Sequence, residues 1–329
     1  MHISLAHGNG GRQMRELIEG VFVRHLGNPN LDPNSDAAMI ALPDREVMVT
    51  TDGFTVHPLE FPGGDIGALA VNGTVNDLAV SGADAHYLTL NCFIEEGFEI
   101  ARLDRLVASM AFAARSAGVC VVAGDTKVVR RGEGGGLYLA TTGIGTRPRG
   151  LSLSMSCIEA GDRILLSGPV GDHGTAVLLA RGEFGLRAAL KSDCASVAPI
   201  CRALREIVGL RFMRDPTRGG LATVAHEIAR CTGLGIRLRE PQIPIRPEVA
   251  AVCEMLGYNP LYLACEGRVV AVVRPDAVNL ALVAMRQVGA DAAEIGSVVA
   301  SGGSVVLETE LGGERLLEEL ESDPLPRIC

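Results

Sequence analysis

The sequence predicts a mixed α/β protein of two domains that ends in a flexible tail, and three observations carry that prediction. The chain has 329 residues, enough for two cores at about 100 to 200 residues each. β-Prone runs alternate with segments whose apolar residues recur at three- and four-residue steps, in both halves of the chain. Forty glycines and 16 prolines, without a G-X-Y period, place tight turns between these runs. The predicted units are residues 1–150, residues 151–312 and a tail of residues 313–329.

Taken in order, Met14, Leu17, Ile18, Val21, Phe22 and Leu26 space a helix over residues 12–26, with Gly27 as its C-terminal cap. A strand over residues 46–51 is expected to stop at Asp52-Gly53, followed by a helix over residues 64–81 and a strand over residues 85–94. Residues 99–117 form the clearest helix of the first half, closed by Gly118, and lead into the strand VCVVAG of residues 119–124. The turn GEGGG, residues 132–136, suggests a hairpin over residues 128–145, because glycine accepts positive φ. Residues 147–156 lack periodicity and mark the domain boundary.

The second half repeats the alternation. Strands are expected at residues 162–166, 236–239, 268–274 and 304–310, and helices at residues 173–181, 197–208, 220–230 and 247–256, with one more between the last two strands. After Gly313, ERLLEELESD reads as a short helix, and Pro324 and Pro326 bar its continuation.

Composition excludes several functions. Thirty Lys and Arg against 39 Asp and Glu leave a net charge of −9, with no basic stripe to neutralise phosphates, so nucleic acid is not the expected partner. Eight Phe, four Tyr and no Trp leave little for base-stacking platforms. No apolar run reaches the roughly 18 residues that span a bilayer, and the N-terminus has no signal-peptide pattern, so a cytoplasmic protein without membrane attachment is expected. Nine cysteines without a C-x-x-C pair argue against a disulfide framework and a structural zinc site.

Neither G-x-x-x-x-G-K-[ST] nor G-x-G-x-x-G occurs, which removes the P-loop and the dinucleotide fingerprint. Four aspartates stand instead in Gly and Thr contexts where periodic runs seem to break: Asp52 in TTDGF, Asp77 in GTVNDLAV, Asp125 in AGDTK and Asp215 in MRDPTRGG. Each alone reads as a cap or turn residue; together they suit a hard cation such as Mg²⁺, which takes carboxylate and phosphate oxygens. Gly8, Gly10 and Gly11 precede a helix and offer backbone N–H groups to an anion, or simply form a flexible terminus. Arg214 and Arg218 could grip phosphate or pair with Asp215. Lys127, Glu266 and His226 are candidate proton or charge carriers. Cys329 ends a Pro-stiffened tail that, at about 3.1 Å per residue, extends roughly 20 Å from Pro324, so it is either a frayed end or a swinging thiol.

These residues resemble the hydrogenase-maturation carbamoyl dehydratases of HypE type, within the superfamily of aminoimidazole ribonucleotide synthetases and selenophosphate synthetases. The resemblance runs through AHGNGG, FPGGDIGALAVNGTVNDLAVSGA, AGDTKVV, GDHG, MRDPTRGGLA, EGR and the terminal PRIC. It implies a two-domain fold of that superfamily with a mobile tail, a homodimer formed through the N-terminal halves, and ATP with Mg²⁺ near the junction. The phosphates would meet Gly8, Gly10, Gly11, Asp77, Arg214 and Arg218, and the metal Asp52, Asp77, Asp125 and Asp215. A partner carbamoyltransferase would load Cys329 with a carboxamide, ATP would drive its dehydration to a thiocyanate, and iron-carrying scaffold proteins would receive the cyanide. Glu266 and Lys127 are the choices for proton removal, with His226 in reserve. The sequence departs from the family pattern at Cys265, where Asn precedes the EG pair, and at Gly53, where Ser is frequent. The alternatives are a selenophosphate-synthetase-like enzyme, which would carry a nucleophilic Cys or selenocysteine near the N-terminal glycines where this chain has its first cysteine at Cys92, a ribonucleotide-synthetase-like enzyme, and a non-catalytic maturation scaffold.

Overall fold

A computed structural model describes residues 2–8, 12–32, 38, 40–300, 302–321, 325 and 327–329. The N-terminal amphipathic segment forms α1 (Arg12–Leu17), a π-helical stretch (Ile18–Val23) and α2 (Arg24–Leu26), and buries Leu17, Val21, Phe22 and Leu26. Gly27 ends it as expected, its N–H donating to Val23 O at 2.9 Å, and leaves at φ −51° and ψ 129°, an extended exit.

The first sheet is built from β1 (Glu46–Phe54), β4 (Asp84–Glu95), β5 (Cys120–Val129) and β6 (Leu137–Arg147), in the order β1-β6-β4-β5. A small ribbon, β2 (Glu60–Phe61) and β3 (Gly64–Asp65), leads into α3 (Ile66–Val80), and α4 (Ile100–Ala117) joins β4 to β5. The order corrects two expectations. β1 does not stop at Asp52-Gly53, because its ladder with β6 continues to Phe54 opposite Leu139. Nor do β5 and β6 form a hairpin: β4 lies between them, parallel to β5 and antiparallel to β6. The GEGGG turn is tied to β4, since the Glu95 carboxylate accepts N–H bonds from Gly132 at 2.6 Å and Gly136 at 2.9 Å.

Helix α3 begins at an Asp65 cap whose Oδ1 accepts from Gly67 N–H at 2.8 Å and Ala68 N–H at 2.9 Å. It is buried nearly all round, as a helix packed on both sides must be. One side meets the first sheet and α4; the other meets the second half, where the Asn76 amide donates to Ala195 O at 3.0 Å and accepts from Val197 N–H at 2.8 Å. Its small residues permit close approach: a Cβ on Gly67 would lie 2.2 Å from Leu106 O of α4. The opposite sheet face stays open, with Val47, Val49 and Phe93 exposed by 52%, 63% and 42%.

The second half comprises β7 (Arg163–Leu166), α5 (Asp172–Arg181), α6 (Ala198–Arg205), β8 (Leu210–Arg214), α7 (Gly220–Thr232), β9 (Gly235–Arg239), α8 (Pro247–Leu256), β10 (Val270–Val273), α9 (Val278–Gln287), β11 (Ala293–Val299), β12 (Val305–Glu308) and β13 (Glu314–Leu316). Its sheet runs β13-β12-β9-β11-β7-β10-β8. The helix expected in ERLLEELESD is absent: β13 pairs antiparallel with β12, Leu317 N–H donates to Val305 O at 2.9 Å, and Leu317 is buried. That edge is held by Arg237, which pairs with Glu308 at 2.6 Å and Glu314 at 2.5 Å.

The end of the tail is seated on the body. Leu325 and Ile328 are each 3% exposed. Residues 327–329 run alongside the segment after β1: Thr55 N–H donates to Cys329 O at 2.9 Å and His57 N–H to Arg327 O at 3.1 Å. Arg327, at φ 55°, donates from Nε to Thr55 O at 3.1 Å and sets its guanidinium over the Tyr138 ring.

Candidate active site

The site gathers where β1, α3, the loop after β8 and the Cys265-Glu266 turn meet. Thr50 and Asp52 share the β1 face turned to α3: Thr50 Oγ1 donates to Asp77 Oδ2 at 2.9 Å, and a Cβ on Gly73 would lie 3.9 Å from Asp52 Oδ2. Asp77 stands within α3 and Asp52 within β1, so neither occupies the break in structure that the sequence suggested. Asp215 directly follows β8 and is buried.

These carboxylates feel one another. Burial raises Asp77, with the Asp52 charge adding to it and the Thr50 hydroxyl opposing. Asp52 is raised by burial, against the Gly53 N–H and the Arg218 cation. Asp215 is pushed up to about 7, by burial first and then by Asp77. Glu266, 3% exposed, rises well above the usual carboxylate range through burial and the charges of Asp215, Asp193, Asp52 and Asp77. Its Oε1 is buried without a hydrogen-bond partner, while Asn76 donates to its carbonyl at 3.3 Å and Asp193 Oδ1 accepts its N–H at 3.1 Å.

The arginines divide. Arg214 has an exposed side chain that pairs with Glu227 at 3.5 Å, and its charge acts on Asp215 and Asp77. Arg218 acts on Asp52 and Asp77. His226, on α7, is not among the charges acting on Glu266, and its Nε2 is buried without a hydrogen-bond partner.

Within one chain, Asp125 and Lys127 stand apart from this group. Both lie inside β5, opposite Asn91 and Phe93, on the open sheet face, where Lys127 Nζ pairs with Asp125 Oδ2 at 2.8 Å. Asp52 lies across Thr141 and Leu90 from Gly124, three strand spacings or roughly 14 Å away, and Asp125, the next residue after Gly124, is on the opposite face from Asp52. The hydrogen bond from Lys127 holds the Asp125 carboxyl below its ordinary range. Gly8 belongs to a 3₁₀ turn (Leu5–Gly8) packed on Val128 of β5, so it sits with this second group; Gly10 and Gly11 lie outside the described residues. Among the described residues, no three His, Cys, Asp or Glu side chains stand close enough to hold a metal ion unaided.

The tail ends on the segment that follows β1. Cys329 is partly buried, and its carbonyl accepts from Thr55, three residues beyond Asp52. Among the other cysteines, Cys92, Cys201, Cys253 and Cys265 are buried, while Cys231 is exposed on α7. Cys265 takes up its departure from the family pattern by accepting Gly171 N–H at Sγ, 3.3 Å away. Sequence reasoning missed Thr50, Asn76, His173, Ser192 and Asp193 as members of the site. Thr50 in TTDGF, Asn76 in GTVNDLAV and His173 in GDHG lay in quoted motifs, whereas Ser192 and Asp193 have no local signature.

The chain is similar to known proteins along nearly its whole length. The AIR synthase related protein N-terminal domain family matches residues 34–147, and the corresponding C-terminal domain family matches residues 159–308. The carbamoyl dehydratase HypE of Azotobacter vinelandii is 47% identical over 331 residues, 99% of this chain and 97% of that protein. A crystal structure of hydrogenase maturation protein HypE in complex with ATP superposes with a TM-score of 0.94 at 43% identity, covering 99% of both chains. A HypE–HypF complex structure is similar at 42% identity and a TM-score of 0.81, covering 92% of this chain and 99% of that one.

Proposed function

The chain belongs to the HypE family of carbamoyl dehydratases, built from AIR-synthase-related N- and C-terminal domains, and from that premise we propose how its own residues carry out the reaction. It is an ATP-dependent carbamoyl dehydratase of hydrogenase maturation, and we assign Cys329 as the carrier of the carboxamide. The observation that carries this is the seating of the terminal cysteine, whose carbonyl accepts from Thr55, three residues beyond Asp52, while the preceding Ile328 carbonyl meets His173.

The amide oxygen is a poor leaving group until it is phosphorylated. The γ-phosphoryl of ATP moves to that oxygen, the C–O bond then breaks with phosphate as leaving group, and two protons leave nitrogen, giving the nitrile of a thiocyanate. The products are ADP and phosphate, and the carrier loses one water. The chain's part is to position the tail and neutralise charge. Glu266 is held in a buried, acidic pocket that raises its pKa, which makes its carboxylate a stronger proton acceptor once its own proton has left. Arg218 balances the aspartates.

Mg²⁺ would be held by Asp52, Asp77 and Asp215, whose burial and mutual repulsion favour a cation in place of their protons. That the carboxylates do not form a complete cage fits an ion that usually takes one or two carboxylates and completes its shell with phosphate and water. Bound there, it would offset phosphate charge.

The open face of the first sheet supports a homodimer through that face, which would give the Gly8, Asp125 and Lys127 group a role at the junction. We assign residues 1–150 to nucleotide binding and dimerisation, residues 151–312 to the second α/β domain and residues 313–329 to the tail, although β13 pairs with the second sheet. The carbamoyltransferase partner, transfer of cyanide to an iron-carrying scaffold and a cytoplasmic location complete the reading; among the described residues no helix is long and apolar enough to cross a membrane.

Intact-protein mass spectrometry tests it. Incubation with carbamoyltransferase, carbamoyl phosphate and ATP adds one carbamoyl group, which then loses one water in step with phosphate release. Cys329→Ala keeps the fold and ATP binding and shows neither change. An adduct mapped to another cysteine, exposed Cys231 above all, overturns the assignment.

A further inference from the structure

The seat of the tail contains a side chain used by neither the acidic cluster nor the nucleotide site. His173, in the first turn of α5, is fully buried, and the Phe61 ring packs edge-on against it with ring centroids 5.3 Å apart. Its Nε2 lies 2.8 Å from Ile328 O and its Nδ1 2.8 Å from Ser192 Oγ. A carbonyl oxygen only accepts, so the proton facing Ile328 is on Nε2. Burial favours the neutral ring, which leaves a lone pair on Nδ1 for the Ser192 hydroxyl to fill. Ser192 Oγ in turn accepts Cys194 N–H at 3.0 Å. Every atom in the chain thus has one role.

The same loop reaches Glu266. Asp193 Oδ1 accepts Glu266 N–H at 3.1 Å, and Ala195 N–H donates to Glu266 O at 3.3 Å. Residues 192–195 therefore touch the tail's anchor on one side and the backbone of Glu266 on the other.

We propose that His173 is a positioning residue: its Nε2–H holds the Ile328 carbonyl and so seats the carrier tail, and the Ser192–Ala195 loop makes that seat and the Glu266 backbone one unit. With the tail away, the Nε2–H loses this acceptor in an apolar niche, which biases the tail toward return. The consequence for dehydration rests on Cys329 being the carrier, whereas the seating itself does not.

The test uses unmodified full-length protein labelled with iodoacetamide, with exposed Cys231 as the internal reference. His173→Ala raises the Cys329-to-Cys231 labelling ratio by roughly 5- to 100-fold, the range expected when a buried carbonyl acceptor loses its donor. His173→Gln, whose amide N–H reaches to the same place, stays within about threefold of wild type. An unchanged ratio in the Ala variant overturns the proposal, as does a Gln variant that matches Ala.

Should the Ala variant fail to fold, ¹⁵N-histidine spectra of the wild type decide, with the His173 signals identified by their loss in His173→Gln. A ring protonated on Nε2 alone is expected; an Nδ1–H tautomer or a doubly protonated ring overturns the assignment. On carbamoylated protein, His173→Ala slows single-turnover thiocyanate formation with ATP affinity retained, and an unchanged rate removes the positioning role. Wild-type protein that forms no thiocyanate defeats the functional reading instead, and the labelling ratio still decides the seat.

Discussion

Glu266 shows how one side chain's chemistry is set by its surroundings. Its Oε1 has no partner and the nearest charges are carboxylates, so the resting group holds its proton more tightly than an ordinary glutamate. Glu266→Gln keeps the shape and the burial and removes the titration. It should bind ATP and accept the carbamoyl group as wild type does, while forming thiocyanate about 10² to 10⁴ times more slowly in a quenched single turnover. Dehydration at the wild-type rate would move the base elsewhere, with His226 next to test. Asp215 makes a second statement, about stability. Its folded pKa of about 7 stands above its ordinary 3.8, so the folded state binds this proton more strongly than the unfolded chain does. Its contribution is fully present below about pH 4, declines as pH rises and is lost above about 7. Metal-free protein in chelator should therefore lose urea resistance between pH 5 and pH 8, and Asp215→Asn should flatten that dependence; equal slopes for the two proteins would contradict the assignment.

Helix α3 is the element on which both halves and the site depend, and its small residues set the packing distance. A Cβ on Gly67 would meet Leu106 O, a backbone atom of α4 that cannot rotate away, whereas a Cβ on Gly20 would meet nothing within 4 Å. Gly67→Ala should cost roughly 1 to 3 kcal/mol in urea unfolding at unchanged m-value, as overpacking does. Gly20→Ala should be neutral or slightly stabilising, and equal behaviour of the two variants would show that α3 and α4 can separate freely. This helix also shows what was legible. Strong periodicity and flanking glycines located α3, α4 and α8 to within two residues. What failed was information held by partners. Asp52-Gly53 looks like a turn, and only the β6 ladder keeps it in a strand. ERLLEELESD has helical composition, and only pairing with β12 and burial of Leu317 makes it extended. β8 and β11, of five and seven residues, were missed beside helices although the shorter β7, β10 and β12 were found. The acidic residues were found by type, but whether Asp125 stands with Asp52 depends on strand order, which no local pattern encodes.

At the scale of the molecule, the first sheet poses a question that a single chain does not answer. α3 and α4 cover one face, and the other presents Val47, Val49 and Phe93 to solvent beside the charged pair Asp125 and Lys127. Apolar side chains on an uncovered sheet face are the kind of surface that a second subunit removes from water. A dimer formed there also explains why the glycine turn at Gly8, Asp125 and Lys127 lie apart from Asp52, Asp77 and Asp215 in one chain: the nucleotide reading needs both groups, and only an interface along this face brings the first into use. Val49 tests the idea because its side chain is 63% exposed and it lies on the face away from the acidic cluster. Val49→Lys introduces a charge that stays hydrated in a lone subunit and is desolvated in the dimer. Sedimentation should then show wild-type dimers and variant monomers, with the variant's circular dichroism unchanged and its ATP affinity at least tenfold weaker by calorimetry. A wild type that is monomeric while binding ATP, or a Val49→Lys dimer of full affinity, would place both the interface and the nucleotide on another surface.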